Sequence, residues 1–318
     1  MAYHTTPYLL LFLPAVLLFY QVTPAKWRSY TLLIFSYLFF WSFSEKLIIY
    51  LIVTTFLTHH ICIWMDTMDK RDKRKKRVLQ LGIFLLLGTI LCLKYRNFFF
   101  GNVSKLAMVL HIDWSYRDQL IFLPIGISFY TLSAIGYMAD VYWGKVKAEY
   151  SLVKTALFLG FFPVIVEGPI CRWEDVEDTL FKNESVKAEN VFTGSYRIIW
   201  GLFKKMIIAD RLAVLVDKVY VGYESYSGAV IVAAAISYTI QLYMEFSGCM
   251  DMVIGSAGLF GIRLPENFSQ PFFAKTCTDF WKRWHITLGV WFKNYIFYPV
   301  SMAKPMKELT KKARKTMG

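Results

Sequence analysis

Apolar runs of nearly membrane-spanning length recur along this chain, and they constrain its fold more than any other feature. The 318 residues are 56% hydrophobic and 18% aromatic. A helix that crosses a bilayer needs about 20 mostly apolar residues. The runs expected to form helices lie at residues 8–22, 30–43, 47–65, 78–93, 120–142, 152–166 and 229–243. The sequence therefore predicts an all-α, polytopic bundle, a single multi-pass domain over residues 1–318 in the cell membrane.

A proline and a glycine stand near the start of the run at residues 120–142, in the sequence LIFLPIGISFY. Proline lacks a backbone donor and clashes with the preceding helical turn, so Pro124 and Gly126 are expected to break or kink a helix. At membrane depth, backbone outside the helical ladder is tolerated only against protein or a water-filled cavity. The pattern predicts a kinked or re-entrant segment beside a polar interior.

Basic residues concentrate in short segments between the apolar runs and give a net charge of +13. The densest run, DTMDKRDKRKKR at residues 66–77, permits a nucleic-acid patch as one interpretation. Its position between two apolar runs favours a cytoplasmic loop against anionic lipid, as does the basic tail at 301–318. The predicted partner is the lipid bilayer, with no nucleic acid. The five cysteines form no CxxC pair, so neither a metal site nor a disulfide framework is predicted.

Two acidic residues, Glu245 and Asp251, interrupt an apolar and aromatic stretch at residues 241–300. Ionisable groups are costly inside a membrane, so such residues mark a functional site by default. Two interpretations stay open: the carboxylates line a hydrated cavity, or they pair with nearby Lys and Arg side chains and fix helix packing. Small residues at 247–248 and 255–258 would allow a close helix approach.

A histidine follows in the same stretch, after a helix-start signal. Thr276 and Asp279 match a capping box. If a helix begins there, Asp279 and Arg283 form an i,i+4 ion pair, and Trp281 and His285 share one face. An imidazole between an indole and an apolar wall tends to stay neutral and able to accept a proton. A purely structural histidine is the alternative interpretation.

Several segments resemble the membrane-bound O-acyltransferase superfamily. They are FLPIGISFYTLSAIGYMADVY, FFPVIVEGPICRW, EFSGCMDMVIG, GIRLPENFSQPF and TDFWKRWHITLGVWFKNYIFYPV, between residues 122 and 300. The pattern DFWKRWHITL is the most specific. Together the segments resemble the bacterial branch that includes membrane proteins of alginate O-acetylation and teichoic-acid D-alanylation. The SGxxDM context of Asp251 favours the polysaccharide O-acetylating members.

The resemblance implies a central membrane tunnel in which an acyl thioester from the cytoplasm, either acetyl-CoA or an acyl carrier, meets hydroxyls of an extracytoplasmic polysaccharide. The thioester is a co-substrate, and no bound cofactor is expected. A periplasmic or extracellular acetylating protein is the expected partner. His285 occupies the RWH histidine position of the family and is the expected catalytic residue. The residues expected to support it are Glu245, Asp251, Asn267, Asp279, Trp281, Arg283 and Trp284.

The family has a second signature histidine, usually regarded as the main catalytic one, in a Trp-His context further along, whereas no histidine follows His285 in this chain. The expectation is therefore a C-terminally truncated member with weak or absent activity of its own. A divergent member that acts through His285 alone is the alternative to truncation. The alternatives in function are D-alanyl transfer to teichoic acid from a carrier protein, an inactive or structural fragment, and a transporter that uses Glu245 and Asp251 as ligands.

Overall fold

The computed structural model describes residues 2–69, 72–112, 114, 124, 126–303, 305–308 and 310. Within those residues the secondary structure is helical, and the β-structure is one isolated antiparallel bridge between Phe268 and Trp284. In this described part of the chain, three segments are long and apolar enough to cross a membrane: Ala25–Asp66, Lys73–Lys94 and Gly228–Gly258. The predicted all-α membrane fold is confirmed.

Fourteen α-helices are assigned over the described residues: α1 (Leu13–Val22), α2 (Arg28–Ser44), α3 (Ile48–Asp66), α4 (Lys73–Lys94), α5 (Arg96–Val109), α6 (Ile127–Trp143), α7 (Leu152–Gly160), α8 (Trp173–Leu180), α9 (Ala188–Leu202), α10 (Asp210–Val221), α11 (Gly228–Gly258), α12 (Cys277–Arg283), α13 (Ile286–Phe292) and α14 (Tyr298–Met302). Wider π-helical turns, Pro7–Phe12, Phe203–Ala209 and Lys293–Phe297, precede α1, α10 and α14.

Two predicted C-terminal helix ends differ from the structure by more than one residue in the described part of the chain. α7 ends at Gly160 rather than at residue 166. Pro163 lacks a backbone donor and restricts the residue before it, and the N–H of Phe162 instead donates to Ser36 Oγ at 3.0 Å. α11 continues past residue 243 to Gly258, because the two carboxylates inside it are paired with basic side chains.

The chain divides into two compact units, residues 26–166 and residues 2–25 with 167–318. In the first unit, α6 packs on α3 and α4. α6 begins directly after Gly126, whose φ of +72° favours glycine, and a β-carbon there would overlap the backbone carbonyl of Ile165. The predicted break at Gly126 is confirmed, and residues 120–123 lie outside the described part of the chain. The single domain stays a prediction.

In the second unit, α9 and α11 run antiparallel and approach each other through reciprocal glycines. A β-carbon on Gly201 would lie 2.5 Å from the carbonyl oxygen of Gly248, and one on Gly248 would lie 2.8 Å from that of Gly201. The same exchange recurs between Gly194 and Gly255, at 2.8 and 2.7 Å. Both pairs are seven residues apart along their helices, about two turns. Backbone thus packs on backbone, a contact typical of membrane helices.

This contact predicts that Gly201→Ala destabilises the second unit. The added methyl must push the two backbones apart, and overpacking of this kind costs about 1–3 kcal/mol. Gly88→Ala on α4 is the matched control, because a β-carbon there meets nothing within 4 Å. Thermal unfolding in detergent micelles measures both. Equal midpoints for the two variants would contradict the packing.

Candidate functional site

The signals for the start of α12 are confirmed. The hydroxyl oxygen of Thr276 accepts the backbone N–H of Asp279 at 3.1 Å. Arg283 Nε donates to Asp279 Oδ1 at 2.9 Å, the predicted i,i+4 pair. The hydrogen bond from Arg283 also lowers the pKa of the Asp279 carboxyl. These contacts order the short helix that leads into the histidine.

α12 ends at Arg283, and the predicted continuous helix through the histidine is wrong. Trp284 is extended, and His285 has left-handed backbone angles, φ +46° and ψ +53°. Trp281 and His285 therefore do not share a helix face, and Trp281 is 65% exposed. A left-handed histidine is uncommon and has to be held by its surroundings.

The surroundings of the bend are the loop at residues 267–269, which pairs with residues 283–286. The N–H of Ser269 donates to the carbonyl of Arg283 at 3.0 Å. The N–H of Ile286 donates to the carbonyl of Asn267 at 2.9 Å. Between them lies the antiparallel bridge of Phe268 and Trp284. These hydrogen bonds draw the backbone out of the helical path. The capping residues at the start of α12 give no sign of them, because the partners lie in a separate loop.

An aromatic cluster surrounds the His285 ring. The imidazole lies edge-on to Phe246 of α11, with ring centroids 4.9 Å apart. Phe268 packs on Phe246 at 5.0 Å and on Trp284 at 5.1 Å, so Trp284 belongs to the same cluster. His285 lies outside the three candidate spans, and burial lowers its pKa. The imidazole is therefore favoured in its neutral form, which can accept a proton.

Asn267 lies beneath the histidine and is 1% exposed. Its Oδ1 accepts the N–H of Thr287 at 3.1 Å and the hydroxyl of Thr287 at 2.6 Å. The Nδ1 atom of His285 lies 3.3 Å from the same oxygen. Asn267 Nδ2 is directed at the sulfur of Met250, at 3.0 Å. Predicted residues His285, Asn267 and Trp284 thus meet in one place.

The acidic residues of α11 form ion pairs. Asp251 Oδ1 is 3.1 Å from Arg197 Nε, and Oδ2 is 2.6 Å from Lys204 Nζ. Arg197 also makes a bidentate contact with Glu266, at 2.7 and 2.6 Å, so it joins α11 to the residue before Asn267. These contacts favour the packing interpretation of Asp251. Arg197 and Lys204 were not among the predicted site residues.

Glu245 pairs with Lys205, whose Nζ lies 2.8 Å from Oε1 and 2.7 Å from a carboxylate oxygen of Asp210. Glu245 thus pairs with Lys205, whereas the next residue, Phe246, contacts His285. α11 therefore contributes to the site through its aromatic face, and the Glu245 carboxylate anchors the π-helical turn after α9.

A cavity of about 330 Å³ borders the same network on the Thr287 side. Its lining residues are Ile170, Arg172, Asp175, Pro265, Glu266, Ile286, Thr287 and Val290. Arg172 pairs with Asp175 at 2.7 Å, so one part of the cavity lining is polar. Thr287 lacks a motif signature of its own, and only the bend at His285 brings it under Asn267.

The ion pairs predict that Asp251→Asn destabilises the second unit. The substitution keeps the side-chain shape but leaves the Arg197 and Lys204 charges without their buried carboxylate, which costs about 3 kcal/mol. Asp217→Asn, at an exposed position of α10, is the control and should change stability by less than about 0.5 kcal/mol. Thermal unfolding compares the two. A loss no greater than that of the control would show that Asp251 is not a packing residue.

Comparison with known proteins identifies the family to which this sequence belongs. The model of the MBOAT, or membrane-bound O-acyltransferase, family matches residues 145–313, which include His285 and every other predicted site residue. The chain therefore belongs to the membrane-bound O-acyltransferase family. The resemblance inferred from the motifs is confirmed.

The similar proteins include two that are named for O-acetylation and one that is named for D-alanyl transfer. The chain is 34% identical to the probable alginate O-acetylase AlgI of Pseudomonas aeruginosa, over 93% of this chain and 56% of the relative. It is 29% identical to the peptidoglycan O-acetyltransferase of Helicobacter pylori, over 96% of this chain and 63% of the relative. It is 30% identical to the teichoic acid D-alanyltransferase of Bacillus subtilis, over 54% and 44%. The chain thus spans little more than half the length of the first of these relatives.

Proposed function

We propose that this chain forms the part of a multi-pass plasma-membrane O-acyltransferase that carries His285, and that the acyl group is acetyl. The acceptor would be hydroxyls of an extracytoplasmic polysaccharide, and the donor a cytoplasmic thioester. The observation that carries the proposal is the His285 imidazole, which lies in an aromatic cluster beside Asn267 and whose pKa is lowered by burial. Family membership and the names of the acetylating relatives support it.

In the proposed reaction His285 acts as general base. The imidazole takes the proton of an acceptor hydroxyl, and the hydroxyl oxygen attacks the thioester carbonyl carbon. The tetrahedral intermediate then breaks its carbon–sulfur bond, and the thiolate leaves with the proton that the imidazole returns. The products are an ester and a thiol, so the proton and the electron pairs balance. General-base assistance of this kind contributes about 10²- to 10⁴-fold to the rate.

The proposal includes two groups outside the residues described here. A second histidine, of the Trp-His type known in the family, would act with His285, and an extracytoplasmic acetylating protein would receive or present the acyl group. Neither follows from the contacts of this chain. Co-purification from detergent-solubilised membranes tests the partner, and mass spectrometry of the bound proteins identifies it.

D-alanyl transfer from a carrier protein is the second candidate, favoured by the match to the teichoic acid D-alanyltransferase. Radiolabelled acetyl-CoA and a D-alanyl-loaded carrier, offered separately to membranes, distinguish the two. Incorporation from the carrier alone would overturn the acetyl proposal. A transporter is less favoured, because cationic side chains already occupy both oxygens of Asp251.

His285→Ala is expected to lower the acetyl-transfer rate of the full gene product by about 10²- to 10⁴-fold, because it removes the base. His111→Ala, at an exposed position after α5, is the control and should keep the activity. Transfer of labelled acetyl groups to polysaccharide in membrane vesicles measures both. Unchanged transfer by His285→Ala would remove the histidine from the mechanism.

The pH profile provides a second expectation. Burial lowers the pKa of His285 below its usual value of about 6.5, so the imidazole stays neutral as the pH falls to that value. Transfer should be constant above about pH 6.5 and decline only below it, as the base becomes protonated. The measurement is kcat/KM as a function of pH. An acid limb centred above pH 6.5 would contradict this assignment.

A further inference from the structure

We propose that Asn267 and Thr287 hold His285 in the tautomer that carries its proton on Nδ1, so that Nε2 is the basic atom. Both would be positioning residues, since neither is argued to touch the reacting atoms. The use of Nε2 as the base rests on the proposed function, whereas the tautomer itself is a property of this chain. Backbone N–H groups, whose donor role is fixed, contact the side chains of both residues.

The orientation of the Asn267 amide follows from a backbone donor. The N–H of Thr287 lies 3.1 Å from the Asn267 atom assigned as Oδ1. A backbone N–H can only donate, so this atom has to be the amide oxygen and not the nitrogen. The amide oxygen therefore faces the histidine as an acceptor without a proton.

The hydroxyl of Thr287 reinforces the same assignment. Its oxygen accepts the backbone N–H of Ile170 at 3.1 Å, so its single proton remains to be donated. That proton is directed at Asn267 Oδ1, 2.6 Å away. Asn267 and Thr287 are 1% and 6% exposed, so bulk water does not compete for these contacts. Two fixed donors thus lock the amide in place.

The locked oxygen selects the histidine tautomer. His285 Nδ1 lies 3.3 Å from Oδ1, and two atoms that only accept cannot form a hydrogen bond. The contact is favourable when Nδ1 bears hydrogen, and a neutral imidazole then has its lone pair on Nε2.

The test is ¹⁵N solid-state NMR of the full chain, labelled at histidine, in lipid bilayers above pH 7. The His285 signals are identified by their loss in His285→Ala. The expected spectrum shows a protonated Nδ1 and an unprotonated Nε2. A protonated Nε2 in the unmodified protein overturns the proposal. This test does not depend on whether variants of Asn267 fold.

Two variants separate positioning from a merely structural role. Asn267→Leu removes the acceptor and is expected to mix the tautomers and to lower kcat at least tenfold, with little change in KM. Asn267→Asp keeps an acceptor, so it should keep the Nδ1–H tautomer, while its charge should move the acid limb of the pH profile to higher pH. Asn102→Leu, on the exposed face of α5, is the control for both readouts.

Each failure has its own signature. If the expected tautomer is observed but no acyl transfer is found with any donor, the proposed function fails and the tautomer assignment stands. If transfer depends on His285 but Asn267→Leu leaves the tautomer and kcat unchanged, the function stands and the positioning role of Asn267 is overturned.

Discussion

The second unit depends on the ion pairs that Arg197 makes with two carboxylates. Its guanidinium binds Asp251 of α11 and Glu266 of the following loop at once. A buried carboxylate is costly unless it is paired, so the two helices have to stay close enough for Arg197 and Lys204 to reach Asp251. The reciprocal glycines supply that proximity, because no side chain separates the backbones of α9 and α11. Helix packing and charge pairing therefore stabilise one another.

The same loop links this framework to the chemistry. Arg197 binds Glu266. The side-chain oxygen of the next residue, Asn267, accepts the N–H of Thr287 and contacts Nδ1 of His285. Residues 267–269 also pair with residues 283–286 and bend the chain at His285. The histidine is consequently positioned by a path of contacts from α9 through the loop, and not by the helix that precedes it in sequence.

Features that depend on residues close together in the sequence could be predicted from it, whereas those that depend on contacts between distant segments could not. Apolar run length predicted the helical membrane fold, and the local signals at Thr276, Asp279 and Arg283 predicted the start of α12. The predicted shared face of Trp281 and His285 is wrong, because hydrogen bonds between residues 267–269 and residues 283–286 end the helix before the histidine. The roles of Arg197 and Thr287 also depend on contacts between distant segments, which spacing within one segment does not encode.

We propose that the acyl group is transferred at the cluster around His285. The most direct measurement is photocrosslinking of the full gene product in membranes with a CoA thioester that carries a photoreactive acyl group. We expect labelling of peptides that contain Phe246, Trp284 or His285, and loss of that label when acetyl-CoA is added in excess. If excess acetyl-CoA removes the label only from peptides remote from this cluster, the result would contradict this proposal.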